Sequence, residues 1–270
     1  MRISLVRLLR LPLDDYLAGL HVCLGAQATS RFEEARPDLC QRGGSRGILF
    51  ARIVFVALAF LLTWWIYVPI HELAHAFGCL LTGGEVTRLE IDPLYGAALL
   101  LRFFPFVTVG SDYAGQLTGF ETHGSDLIYL ATDFAPFLLT VFLGVPLLRS
   151  VGAGRPRCCE RATPLFFGAA LPIAYAPFIS LTGDYYEMGS ILVSRCVTLW
   201  SPSLPLERWR SDDIFRLVAK LSDADPGLGA TDAIGIGVSL LLGLALAFAT
   251  YAAGVLFARF AVHRFQQGRA

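Results

Sequence analysis

Read for apolar and polar positions, the chain contains four long apolar runs separated by polar stretches. The first starts at Ile48, stays apolar to Tyr67, passes Pro69 and continues to about Thr82. The others cover 125–150, 164–183 and 232–260, and the third extends toward Trp200 if its polar interruption is tolerated. Each is long enough for a membrane helix, which needs about 20 mostly apolar residues. As one straight helix the first run would be about 52 Å long, more than a bilayer needs. The pattern therefore predicts a kink or break near Pro69, whose ring removes a donor and crowds the preceding turn.

Between the first two runs, 83–110 mixes β-branched and aromatic residues with Gly and Pro punctuation, which predicts short strands. Strands at membrane depth must be covered by protein. The stretch SDDIFRLVAKLSDADPG, 211–227, predicts an amphipathic surface helix. Ser211 is its expected cap, Asp212 and Asp213 its first turn, and Ile214, Leu217, Val218 and Leu221 its apolar stripe. In MRISLVRLLRLPLDDYLAGL, Arg7 and Arg10 interrupt the apolar run and Asp14 and Asp15 follow. That predicts a short amphipathic helix at a membrane surface rather than a signal peptide.

The fold class expected is an α-helical polytopic membrane protein, with about four transmembrane helices and a short membrane-associated β segment. Its expected parts are a polar N-terminal segment 1–47, a membrane core 48–200, an amphipathic loop 201–231, and a C-terminal transmembrane helix with tail 232–270.

Composition agrees. Hydrophobic residues make up 55% of the 270 and charged residues only 16%, and mean hydropathy is +0.58, so lipid is needed to cover the apolar excess. Net charge is zero, which leaves no global field for nucleic acid. Arginine sets the expected orientation: seven lie in the first 47 residues, three in the loop 150–163, and Arg259, Arg264 and Arg269 at the C-terminal end. Four crossings with both termini cytoplasmic fit that distribution, in a plasma membrane or a bacterial inner membrane. Cys79 and Cys196 lie in apolar stretches and read as small hydrophobes. Cys158 and Cys159 read as a reduced pair in an Arg-rich loop.

One stretch does not belong in an apolar helix. In PIHELAHAF, 69–77, His71, Glu72 and His75 form H-E-x-x-H. With five histidines and nine glutamates, chance supplies this motif roughly 0.003 times in such a chain. On a helix, positions i and i+4 share a face, so both imidazoles can ligate one tetrahedral zinc. Glu72, beside the first ligand, can serve as general base toward water. Each strongly polar side chain at bilayer depth costs about 2.5–3.5 kcal/mol, and a metal offsets that cost where a merely hydrogen-bonded core does not. A third protein ligand is required. The candidates are Asp133, Asp184, Glu187 and His123, with Asp133 equally able to hold an imidazole N–H from behind.

With these motifs the chain resembles the site-2 protease (M50-type) intramembrane metalloproteases over roughly residues 50–200. His71, Glu72 and His75 match the family's first motif, GGEV and the strand-like segment follow in the family's order, and TGDYYEMGS stands where its aspartate ligand is expected. The resemblance implies zinc held by His71, His75 and Asp184, with Glu72 catalytic, and hydrolysis of peptide bonds in transmembrane protein substrates. Asp133 and Glu187 remain alternatives for the third ligand or its support. The family's asparagine ahead of the aspartate has no counterpart, since the chain contains no asparagine. Tyr185, Tyr186 and His123 are the candidates for a transition-state donor. Two other readings stay open: a metal-binding membrane protein without proteolysis, and an ion transporter using Asp133 and Asp184. Oligomeric state has no signature in the sequence.

Overall fold

The computed structural model describes residues 5–24, 45–153, 162–199, 206–224 and 227–267. The chain is mostly helical with one small sheet. Three helices are long and apolar enough to cross a membrane, 47–81, 126–152 and 230–261; the pair 163–174 and 176–182, bent by 46°, makes a fourth if it counts as one span. These helices turn Phe50, Leu58, Leu61 and Leu241 outward, a surface compatible with a membrane protein.

Of the kink or break expected near Pro69, the break is absent. Helix α2, Ser45–Leu81, runs on for 37 residues with the proline inside it. An interior proline costs about 3 kcal/mol. Beyond it, His71, Leu73, His75, Ala76 and Cys79 are all buried, so packing of this end outweighs the local cost. Of the cysteines, Cys79 is buried as expected, whereas Cys196 is exposed rather than packed as a small hydrophobe. Cys158 and Cys159 lie outside the described residues.

The chain forms two compact units. The first comprises 1–67, 139–175 and 251–270. Its N-terminal helix α1, Leu5–Leu24, forms where a helix was expected and docks through a mixed side that buries Pro12, Gly19 and Cys23 around Asp15. Asp15 receives two hydrogen bonds of 2.5 and 2.6 Å from Arg149 Nη1, and one from the Tyr251 hydroxyl at 3.1 Å. The Tyr175 hydroxyl donates to the Pro12 carbonyl at 2.6 Å. The Tyr16 and Phe167 rings lie 5.8 Å apart, and Gly19 leaves space that the Phe167 ring occupies.

The second unit comprises 68–138 and 176–250. Strands β1, Glu85–Ile91, β2, Val107–Val109, and β3, Gly115–Glu121, form a sheet in the order β2-β1-β3. β2 pairs parallel to β1. β3 pairs antiparallel, with Leu89 opposite Leu117 and Ile91 opposite Gly115. The strands expected within 83–110 are therefore present, and a third lies beyond that range. Leu73 and Ala76 of α2 pack with Leu89, Ile91, Ala97 and Val107. Helix α3, Asp126–Phe134, starts at a Ser125 cap. Helix α4, Asp184–Thr198, meets the C-terminal helix α5, Ala230–Gln267, where Gly189 faces the Ser239 carbonyl and Gly243 faces Tyr185. Helix α6, Ile214–Ser222, is capped by Asp213 and not by Ser211 as expected; the Asp213 carboxylate accepts from Phe215 and Arg216 N–H. Ser211 instead bonds the Asp213 backbone, which frees Asp213 for the cap. The expected stripe of α6 does pack, with Leu217 and Leu221 buried against Tyr186 and Ile236.

Candidate metal centre

α2 carries His71 and His75 one turn apart, and their Nε2 atoms lie 3.2 Å from each other. The first residue of α4 brings Asp184 to both: Oδ2 is 3.3 Å from His71 Nε2 and Oδ1 is 3.6 Å from His75 Nε2. One ligand atom from each of the three lies within 4.8 Å of the others. Both histidines are buried. On its far side His75 Nδ1 is 2.9 Å from the Thr132 carbonyl. A carbonyl only accepts, so Nδ1 carries a proton and the ring is held with Nε2 toward His71 and Asp184. Two imidazole nitrogens and a carboxylate oxygen, converging with one ring oriented from behind, suit a divalent metal ion. The buried cluster could hold such an ion. Burial works to raise the Asp184 carboxyl, but the His75 and His71 imidazoles outweigh it and hold it low.

Glu72 lies outside this ligand group. It lines a cavity of about 390 Å³ together with His75, Asp184, Tyr113, Gly115 and Gln116. Gly115 opens β3 directly against the glutamate: a Cβ there would stand 2.5 Å from Glu72 Cγ. Only a residue without a side chain leaves Glu72 in place.

The alternative candidates stand outside the ligand group, although Glu187 lines the same cavity as Glu72. Asp133 is buried near Glu187, Asp184 and Asp212, and its Oδ2 has no hydrogen-bond partner among the described residues. The imidazole N–H it was expected to hold goes to the carbonyl of the preceding residue. Glu187 accepts from the Tyr129 hydroxyl at 2.6 Å, and burial pushes its carboxyl up. The Tyr185 hydroxyl donates to Thr250 at 2.8 Å and that of Tyr186 to the Trp209 carbonyl at 2.8 Å. His123 sits in an exposed loop, 3.9 Å from Glu85. None of these three aromatic side chains lines the cavity beside Glu72.

Four contributors have no place in the expectations from sequence: Thr132, Gly115, Tyr113 and Gln116. Thr132 acts through its backbone, which has no residue signature. Gly115 opens GQLTGFE, whose two glycines among alternating residues were a readable strand signal. Tyr113 and Gln116 reach Asp213 at 3.1 Å and Asp212 at 2.8 Å, tying the start of β3 to the residues ahead of α6. Comparison with protein-family models, curated proteins and solved structures finds no match.

Proposed function

We propose that the protein is a zinc-dependent endopeptidase that hydrolyses peptide bonds of membrane-embedded protein segments. The observation that carries this reading is the division of labour at one cavity. His71, His75 and Asp184 converge as ligands, and the remaining acid of the motif, Glu72, faces the cavity beside them. When bound there, zinc would supply Lewis-acid activation of a carbonyl and of water. Glu72 would accept the proton of the attacking water and deliver it to the departing amine. Thr132 fixes the His75 ring and Gly115 leaves Glu72 its place. The outer edge of β3 starts at the same cavity, so a locally unwound substrate could add there as a strand. A substrate with N-methylated backbone amides flanking the cut would then be a poor one; equal cleavage of the methylated and parent segments would remove strand addition.

A second reading, a membrane protein that holds metal without cutting, draws on one observation: Tyr185, Tyr186 and His123 bring no donor to the cavity. Two measurements separate the readings. Purified wild type should contain about one zinc per chain, lost in His71→Ala and in Asp184→Ala. Glu72→Gln should keep the metal and abolish cleavage of a membrane substrate. A metal-free wild type after reconstitution would sink both readings, and full cleavage by Glu72→Gln would sink the enzyme mechanism.

A further inference from the structure

The cavity beside Glu72 has a neighbour in the same unit. A second space of about 470 Å³ adjoins it along β3, and Gln116, Leu117, Glu187 and Asp212 line both. Strand order leaves β3 at the edge of the sheet. Two kinds of surface meet in this side cavity. Leu117, Phe120 and Tyr129 give it an apolar wall, with the Phe120 and Tyr129 rings 5.1 Å apart. Glu187 and Asp212 give it two carboxyl groups, near enough for the charge of one to act on the other.

Among the described residues neither acid is in an ion pair. Glu187 is buried. Its Oε1 accepts from the Tyr129 hydroxyl at 2.6 Å, and its Oε2 has no hydrogen-bond partner among the described residues. Asp212 is exposed and accepts at 2.8 Å from the Gln116 amide, a neutral donor. Arg210 brings a positive charge to the lining, but its Nη1 and Nη2 bond Asp126 at 2.9 and 3.0 Å. Arg216 lies over the Tyr113 ring, outside this lining. A buried carboxyl with a free oxygen, a second acid at the open side and an apolar wall beside them match one kind of side chain. Lysine and arginine carry a cation on an apolar stem, and a buried charge is kept where it is paired. A neutral side chain would leave the two carboxyls in each other's field, and an acidic one would add a third. We propose that the side cavity is a specificity subsite that takes one lysine or arginine of the segment to be cut, with its stem on Leu117, Phe120 and Tyr129 and its cation at Glu187 and Asp212. The proposal rests on the endopeptidase reading for the nature of the occupant. Basic residues flank membrane segments at their ends, so the cut would fall near such an end.

The test uses model transmembrane peptides that differ at one residue, lysine, norleucine or glutamate, moved along the peptide one position at a time. Binding is measured to Glu72→Gln supplied with zinc, in detergent, and cleavage with wild type. At one position lysine should bind about tenfold tighter than norleucine, the value of one hydrogen bond to a charged group, and glutamate should bind weakest. Asp212→Asn and Glu187→Gln, each added to Glu72→Gln, should remove most of that advantage and leave norleucine binding and zinc content unchanged. Asp212→Arg should reverse the order, so that glutamate binds better than lysine, a gain that misfolding cannot mimic. Glu85→Gln, on β1 and outside both cavities, should change nothing. Equal binding of lysine and norleucine at every position, or a full lysine advantage in Asp212→Asn, would overturn the inference. Wild type cutting norleucine peptides as fast as the best lysine peptide would remove the subsite and leave the endopeptidase standing. Selective lysine binding with no cleavage would sink the endopeptidase and leave a binding site for basic segments.

Discussion

Asp15 in the first unit and the acids around Asp184 in the second show two ways of placing charge inside an apolar chain. Asp15 meets the Arg149 guanidinium and the Tyr251 hydroxyl, so the carboxylate is answered by protein groups. Around Asp184 the account does not close. Asp184 faces two imidazoles, Glu187 is met by a tyrosine hydroxyl, and Asp133 keeps an oxygen without a hydrogen bond. Arg210, whose charge is felt at Glu187, commits Nη1 and Nη2 to Asp126 at 2.9 and 3.0 Å. A buried charge is retained when paired or bound to metal. The first cluster is answered by protein groups among the described residues, and the second brings together three side chains that could hold a metal ion.

The largest effect is expected at Arg149. Arg149→Ala strands the Asp15 carboxylate and should cost about 3–5 kcal/mol, whereas replacing Asp15 and Arg149 together by Leu and Met should be close to neutral. Burial already raises the Asp15 carboxyl above its unfolded value, and the Arg149 charge is the main force holding it back. A raised acid pKa gives stability that is full at low pH and lost as pH rises through the folded value. Removing Arg149 lifts that value further, so the deficit of the variant should grow from acid toward neutral pH. Denaturant melts at two pH values check this. A deficit below about 1 kcal/mol, the range of an exposed ion pair, would mean that the cluster is not self-sufficient and would erase the contrast.

In the second unit the most sensitive position is Gly115. Gly115→Ala places a methyl 2.5 Å from Glu72 Cγ. The glutamate is flexible and will move, so stability should change little. Its displacement should cost about 100-fold in cleavage rate, with metal content unchanged. Gly237→Ala, where a Cβ meets nothing within 4 Å, is the control. If Gly115→Ala loses metal instead, Glu72 and the ligands are not separate in function and the division of labour fails.

These two sites also show what the sequence could reveal. H-E-x-x-H was readable because its geometry is local: a spacing of four on one helix puts two imidazoles on one face. The four apolar runs were readable for the same reason. Asp184 came from resemblance, since nothing local distinguishes it from Asp133 or Glu187; only the start of α4 beside α2 brings it to the histidines. No break forms at Pro69, because buried contacts of His71, Leu73, His75, Ala76 and Cys79 hold the far end of α2, and the local proline cost carries no information about them. Thr132 contributes a carbonyl that any residue would have supplied, and its role depends on where α3 passes α2. The Asp15–Arg149 pair, separated by 134 residues, had no sequence signal at all.

The smallest effect lies at the mouth of the cavity, where capping and site geometry share one carboxylate. Asp213 caps α6 through Phe215 N at 2.7 Å and Arg216 N at 3.1 Å, and also accepts from the Tyr113 hydroxyl. Loss of a cap costs about 1 kcal/mol, and a single exposed hydrogen bond adds about 0.5–1 kcal/mol. Asp213→Ala should therefore cost about 1.5–2 kcal/mol, and Tyr113→Phe only the smaller share. A double-mutant cycle isolates the link between β3 and α6 as their coupling. Coupling with unchanged cleavage would make the link structural, like the Asp15 cluster. Coupling accompanied by a raised KM for a membrane substrate would place it with the metal centre, as part of what positions the segment to be cut.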